Sequence, residues 1–211
     1  MHTLIVVAHP IPGSLSHHLA KELRDDLTRL SSGASAEVVD LAAEGFDPRF
    51  TARDHAAYRD GGGYPADVIA EQARIERADN LVLMFPVYWW SMPALLKGWV
   101  DRVFSNGWAF SYGRATGSTP MMKRLTIHLV PIASGDAEGY ARHGYESSLR
   151  NQIEHGIIQY CGARLGTTTF VFDSETRHPD SFAPLVRATA DAVLAMGLGT
   201  VEPLQSALFP E

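Results

Sequence analysis

Short runs of consecutive apolar residues alternate along this chain with stretches in which apolar residues return every three or four positions. Leu4-Ile5-Val6-Val7-Ala8 is the first such run, rich in β-branched residues, and predicts a strand buried on both faces. A turn at Pro10, Pro12 and Gly13 follows. Leu15, Leu19, Leu23, Leu27 and Leu30 then mark a helix, with Ser14 as its N-cap. Glu37–Leu41 predicts a second strand. Residues 42–64 read as a loop, broken by Asp47-Pro48 and Gly61-Gly62-Gly63. Pro65 opens a helix carrying Val68, Ile69, Gln72 and Ile75, and Asn80–Phe85 is the third strand. Pro93 sits at the first turn of the next helix, where its missing N–H costs nothing. Leu96, Trp99, Val100 and Val103 give that helix one buried face. Leu125–Ile132 predicts a fourth strand, and Leu149, Ile153, Ile157 and Tyr160 a helix ending at Gly162. Gly166–Phe172 predicts a fifth strand, and Val186, Ala190, Val193 and Leu194 a last helix. From about residue 197 the pattern reads as a tail.

Strands alternating with helices imply parallel strands joined by helical crossovers. Five strands are too few for a barrel, so the expected class is α/β, a doubly wound five-stranded parallel sheet of order 2-1-3-4-5. The 211 residues make a single domain.

Composition narrows the function. The formal charge is −6, from 24 acidic and 18 basic residues, with no dense Lys/Arg run. That argues against a nucleic-acid ligand, since phosphate contacts need clustered cations. Cys161 is the one cysteine, so no intrachain disulfide forms, which suits a reducing cytoplasm. Its apolar helical surroundings predict core packing. No apolar stretch approaches the ~20 residues that span a bilayer, so no direct membrane insertion is expected. The N-terminus lacks the basic region of a signal peptide.

In an open parallel sheet, ligands bind beyond the carboxyl ends of strands where the strand order reverses. That selects the loops after strands one, three and four. In the first, His9–Ser16, glycine, hydroxyls and a helix start suit a phosphate without any lysine. A stiff turn before a capped helix fits it equally well. Ala8-His9-Pro10 also opens a zinc deacetylase signature, but Ile11 and Pro12 stand where its two acids belong. With one Cys and no paired His spacing, no metal site is expected. In the second loop, Tyr88, Trp89 and Trp90 run on without the alternation of core positions, as a wall for a planar ligand, an aromatic cap on the end of the sheet or a dimer contact would. In the third, residues 133–145, Ser134-Gly135 brings backbone donors close, and Tyr140 and His143 are candidate proton donors.

Three blocks together resemble the flavodoxin-like NAD(P)H:quinone oxidoreductases. They are His9-Pro10 with Ser14-Leu15-Ser16, the run from Phe85 to Phe104 (FPVYWWSMPALLKGWVDRVF), and Gly107-Trp108-Ala109-Phe110, with Phe46-Asp47-Pro48 between the first two. The resemblance covers roughly residues 3 to 170. It implies a flavodoxin-like fold and a cytoplasmic homodimer with a flavin at each subunit interface, FAD with FMN the close alternative. It implies reduction of that flavin by NAD(P)H, then ping-pong transfer of two electrons to a quinone or similar small acceptor.

By the same resemblance His9, Ser14, Leu15 and Ser16 hold the flavin's phosphate and ribityl chain. Pro86, Val87, Tyr88, Trp89 and Trp90 line its ring, and Ser134 and Gly135 meet the ring's pyrimidine end. Trp89 and Trp90 also border the substrate pocket, which Phe110 and Tyr112 close from the neighbouring subunit. Tyr140 stabilises charge on the flavin, with His143 nearby but out of register. The third loop departs from the family's Thr-Thr-Gly-Gly, reading Ala133-Ser134-Gly135-Asp136, so one hydroxyl is lost. Two other readings share this fold: a flavin-binding regulatory subunit of a potassium efflux transporter, and a one-electron carrier.

Overall fold

Strands β1 (His2–Val7), β2 (Ser35–Asp40) and β3 (Asn80–Pro86) form where the apolar runs predict them. The computed structural model describes residues 1–113 and 117–197; the expected tail falls at 198–211, outside the described residues. Two short strands, β4 (Phe110–Gly113) and β5 (Gly117–Pro120), pair as an antiparallel hairpin that the hydrophobic pattern does not announce. β6 (Thr126–Ile132) and β7 (Arg164–Thr168) complete a parallel five-stranded sheet of order β2-β1-β3-β6-β7. In sheet order this is 2-1-3-4-5, the flavodoxin-like arrangement. Every residue of β3 and β6 is buried, as expected of central strands covered on both faces.

One face carries helices α1 (Leu15–Leu30) and α7 (Ala183–Gly197). Leu19, Leu23 and Leu27 of α1 meet Val186 and Ala190 of α7 over Ile5, Val7, Val82 and Met84. The other face carries α3 (Ala66–Glu76) and α4 (Ala94–Val103), where Ile75, Leu96, Trp99 and Val103 pack on Leu4, Val6, Leu81 and Phe85. No helix among the described residues is long and apolar enough to cross a membrane. Cys161 is buried, and burial pushes its thiol pKa up to about 12, so it packs as an inert apolar residue.

Other segments also differ from the sequence reading. Residues 42–64 contain a helix, α2 (Ala52–Asp60), where a loop was expected. It is held by a capping box between Thr51 and Asp54 and closed by Gly61 in the left-handed conformation. Only Asp54 and Ala57 of α2 are buried, so the helix has almost no apolar stripe to announce it. The helix expected around Leu149–Tyr160 is α6 (Tyr145–Arg150) running into a π-helical stretch, Asn151–Gln159. The fifth strand begins two residues early and stops at Thr168, and Val171 rejoins the sheet by a single bridge to Ile132.

Within β7 the pairing is also irregular, opposite His128, which is fully buried in β6. Thr167 donates its N–H to His128 Nδ1 at 3.1 Å rather than to a β6 carbonyl, and the register shifts between Ile127 and Leu129. Nδ1 therefore accepts, leaving Nε2–H to face Asn80 Oδ1 at 3.3 Å. A Cβ on Gly166 would lie 2.4 Å from Nδ1, so only glycine fits opposite the ring.

A second buried array joins α4 to α2, α3 and the segment before α2. Arg102 donates from Nε to Asp54 (3.0 Å), and from Nη1 to the carbonyl of Asp47 (2.8 Å) and to Asp67 (2.6 Å). Its guanidinium lies 5.2 Å from the centre of the Phe46 ring. One turn earlier, a Cβ on Gly98 would come within 2.2 Å of the Pro48 carbonyl oxygen.

Two outcomes follow from these arrays. Gly98→Ala lowers stability by about 3 kcal/mol in urea denaturation, through overpacking, while Gly33→Ala, with open space around it, stays within about 1 kcal/mol of wild type. Burial pushes the His128 pKa down to about 4, below its ordinary value of 6.5, so the folded chain binds fewer protons than the unfolded one between those limits. The stability due to His128 is thus complete above pH 6.5 and falls as the pH drops toward 4, by about 1.4 kcal/mol per unit at most. Urea midpoints measured from pH 7 to 4.5 have a visibly shallower slope in His128→Gln.

Candidate functional site

At the carboxyl end of the sheet, β3 leads into a two-residue turn. Tyr88 and Ser91 each donate an N–H to the other's carbonyl, both at 3.1 Å. The residues between them, Trp89 (φ 49°) and Trp90 (φ 56°), are both left-handed. Such a turn normally takes Asn-Gly, because a Cβ in this region crowds its own backbone. Trp89 is 86% exposed, so its ring gains nothing from the core in return. Trp90 stacks on Tyr145 at 4.2 Å and 28°, and His143 stacks on Tyr145 at 5.2 Å and 23°.

These rings wall a cleft of about 370 Å³, which also takes in Val87, Ser134, Gly135 and Tyr140. The size suits a small organic ligand or cofactor. The third loop forms the opposite side. Helix α5 (Ala137–His143) starts there, capped by the Asp136 carboxylate accepting from Gly139 N–H at 2.6 Å. Tyr140 projects from α5 among Tyr145, Phe170 and Phe172. A Cβ on Gly135 would sit 3.3 Å from the Tyr140 ring, so glycine lets the ring lie over the loop backbone. Burial, helped by Tyr145, pushes the Tyr140 pKa up. Its hydroxyl is therefore a neutral donor at physiological pH, and it makes no hydrogen bond among the described residues.

The residues singled out from sequence are spread over several places. Val87, Trp89, Trp90, Ser134, Gly135, Tyr140 and His143 share the cleft. Pro86 is buried behind it at the end of β3, and Tyr88 is exposed on the turn without lining it. His9, Ser14, Leu15 and Ser16 lie at the β1–α1 junction, on the same edge of the sheet. Ser14 occupies the N-cap position, but its side chain makes no capping bond; its Oγ is 2.8 Å from His17 Nδ1. The first-turn N–H groups of α1 therefore have no side-chain acceptor. His9 accepts the Ile11 N–H on Nδ1 at 3.1 Å, and burial lowers its pKa.

Phe110 and Tyr112 do not border the cleft of their own chain. They stand on the β4–β5 hairpin, with Phe110 edge-on to Tyr160 at 5.3 Å beside a separate depression between α4 and the π-helical stretch. Tyr145, Asp136 and Gly139 line the cleft and were not singled out from sequence. Away from the cleft, His18, Glu22 and Asp180 bring ligand atoms within 4.8 Å of one another, on a surface where Asp180 is exposed.

The left-handed Trp-Trp pair stores strain at the wall of the cleft, which gives a direct test. Trp89→Gly raises the stability of the ligand-free protein by about 1 kcal/mol in urea denaturation, because glycine relieves the left-handed φ. An exposed Trp89 on an unstrained backbone would instead give no gain.

Comparison with known proteins places this geometry. Residues 1–195 match a family described as having a flavodoxin-like fold. The chain is 31% identical over 205 residues to the ribosyldihydronicotinamide dehydrogenase [quinone] of Pongo abelii, covering 88% of this chain and 87% of that protein. Among solved structures it resembles an NAD(P)H:quinone oxidoreductase from Methanothermobacter marburgensis, with a TM-score of 0.83, 24% identity and 92% and 98% of the two chains covered. A quinone reductase structure from Klebsiella pneumoniae gives a TM-score of 0.81 at 25% identity, covering 94% of this chain and 85% of that one. With its sheet order, switch-point cleft and matched length, the chain belongs to the flavodoxin-like NAD(P)H:quinone oxidoreductase family, a family of oxidoreductases.

Proposed function

We propose that the protein is a flavin-dependent NAD(P)H:quinone oxidoreductase, a single domain that binds FAD across the carboxyl end of its sheet. One observation carries the reading: a strained, exposed Trp-Trp turn faces an uncommitted Tyr140 hydroxyl across a cleft at the switch point. Strain of that kind persists where a backbone is shaped for a ligand. The donor set fits a flavin. A planar ring finds the indoles on one side and the backbone of Ser134 and Gly135 on the other. Its phosphate finds the His9–Ser16 loop, where free N–H groups and a helix dipole replace the missing lysines.

A flavin bound there supplies reversible two-electron chemistry, accepting a hydride from NAD(P)H and passing two electrons to a quinone. The protein's own residues do the rest. Val87, Trp89 and Trp90 exclude water from one face of the cleft and stack against flat ligands. Tyr140, held neutral by burial, offers an O–H to negative charge that develops against it. His143 is exposed at the mouth, stacked on Tyr145, and is the cleft group best placed to exchange a proton with solvent. Nucleotide and quinone share one open cleft in turn, so turnover is ping-pong.

In this reading the enzyme is a cytoplasmic homodimer. Exposed Tyr112 on the hairpin and the depression beside Phe110 and Tyr160 support a partner subunit there, with Phe110 and Tyr112 reaching the neighbour's pocket.

The test is to purify the protein, release its bound chromophore and identify it by mass. NADH or NADPH should then bleach the holoprotein, a quinone should restore its colour, and initial-rate plots should give parallel lines. FAD is the expected chromophore. Colourless protein that takes up neither FAD nor FMN would sink the reading.

A further inference from the structure

Two residues outside the expected site complete a polar relay at the head of α1. His17, in the first turn, lies between Ser14 Oγ, 2.8 Å from its Nδ1, and Asp40 Oδ2, 2.8 Å from its Nε2. Asp40 ends β2, on the strand beside β1, and its other oxygen accepts the N–H groups of Ala42 (3.0 Å) and Ala43 (3.2 Å). The ring is therefore clamped from both ends.

The hydrogen-bond arithmetic fixes what each protonation state does. Burial works against a charge on Asp40, but the bonds from His17, Ala43 and Ala42 outweigh it and hold the carboxyl ionised, below its ordinary pKa. An ionised carboxylate only accepts, so Nε2 carries a hydrogen toward it in either state of the ring. In the neutral ring Nδ1 is then bare, and the Ser14 hydroxyl must spend its single hydrogen on it. In the protonated ring Nδ1–H donates to Ser14 Oγ, and the hydroxyl hydrogen is free to turn elsewhere. Ser14 is the residue whose side chain leaves the helix end uncapped.

We propose that His17, oriented by Asp40, is a proton-gated element of the flavin phosphate site. Its protonation releases the Ser14 hydroxyl to the phosphate and places one positive charge beside it. The inference rests on the flavin reading above. It deepens that reading by predicting that phosphate-bearing flavins bind more tightly as the pH falls, with uptake of a proton.

The surroundings leave His17 as the group that answers. His9, at the end of β1, is the other imidazole facing it, with ring centres 6.2 Å apart, and burial lowers its pKa. Farther along α1, Lys21 is paired with Asp25 and His18 faces Glu22 and Asp180. A proton on His17 meets Asp40 on one side and an arriving phosphate on the other.

Isothermal titration of FAD into the full-length chain freed of bound flavin tests this. FAD is the right probe because its pyrophosphate does not titrate near neutrality, unlike a phosphate monoester with its second pKa near ~6. Riboflavin, which has no phosphate, is the control. In the wild type the Kd for FAD should fall by roughly tenfold from pH 8 to pH 6, the scale of one hydrogen bond to a charged group. Titrations in buffers of different ionisation heat should show a proton taken up with FAD and none with riboflavin. His17→Gln should abolish both effects, and Asp40→Asn should move the dependence to lower pH. An FAD affinity that ignores pH, or a dependence that survives His17→Gln or stays in place in Asp40→Asn, would overturn the relay while riboflavin binding left the flavin site intact. Binding of neither flavin at any pH would overturn the flavin reading, and the relay with it.

Discussion

The Arg102 guanidinium is the contact on which the rest of the molecule hangs. It is almost fully buried, yet its donors are met by Asp54, Asp67 and the Asp47 carbonyl, and its face by Phe46. A buried charge with partners missing costs about 3–5 kcal/mol, so the array holds only when all its parts are in place. Asp54 serves twice, capping α2 through Thr51 and pairing with Arg102. A segment with little apolar content is thereby ordered by electrostatics. Trp99 donates from Nε1 to Glu71 at 2.9 Å, and Gln72 donates to the Val103 carbonyl at 3.0 Å, which ties α3 to the same helix. The position of α4 is thus fixed from the side opposite the cleft.

What α4 fixes in turn is the start of the aromatic wall. Pro93 sits at its N-cap, two residues after Ser91 closes the left-handed turn. Two left-handed tryptophans cost about 1–2 kcal/mol each, comparable to a few of the contacts just described. The turn is held by its reciprocal backbone bonds, by Ser91 Oγ donating to Gln152, and by Trp90 against Tyr145. Gln152 belongs to the π-helical stretch and Tyr145 to α6, so the wall is braced by the segment that also carries the other side of the cleft. The block from Phe85 to Phe104 reads as one motif because its first half is the wall and its second half the anchor.

The sequence exposed the parts of this architecture that depend on burial. All five sheet strands, their order and the three switch-point loops follow from apolar runs, and Tyr88-Trp89-Trp90 stands out because it violates strand alternation. The parts it hid depend on polar contacts between distant residues. Helix α2 is announced only by Thr51 and Asp54, a capping pair without an apolar stripe behind it. The irregular pairing within β7 depends on the His128 side chain replacing a backbone acceptor, which no periodicity encodes. Tyr145 joins the cleft because Gly144, left-handed at φ 68°, turns the chain between α5 and α6. His17 carries no signal of its own on α1; its partner Asp40 is 23 residues away and meets it only because β2 lies beside β1.

The two ends of the proposed flavin site use different physics, and the net charge of −6 explains why. The ring end relies on apolar stacking and one neutral phenol, interactions that the acidic surface leaves alone. The proposed phosphate end would have to hold an anion in a protein with an acidic excess and no lysine or arginine between His9 and Ser16. Backbone N–H groups and a helix dipole supply part of the attraction, typically about 0.3–1 kcal/mol at an exposed helix end. A guanidinium there would add a permanent charge but would also pair with Asp40. An imidazole already paired with Asp40, as in the proposed relay, avoids that competition.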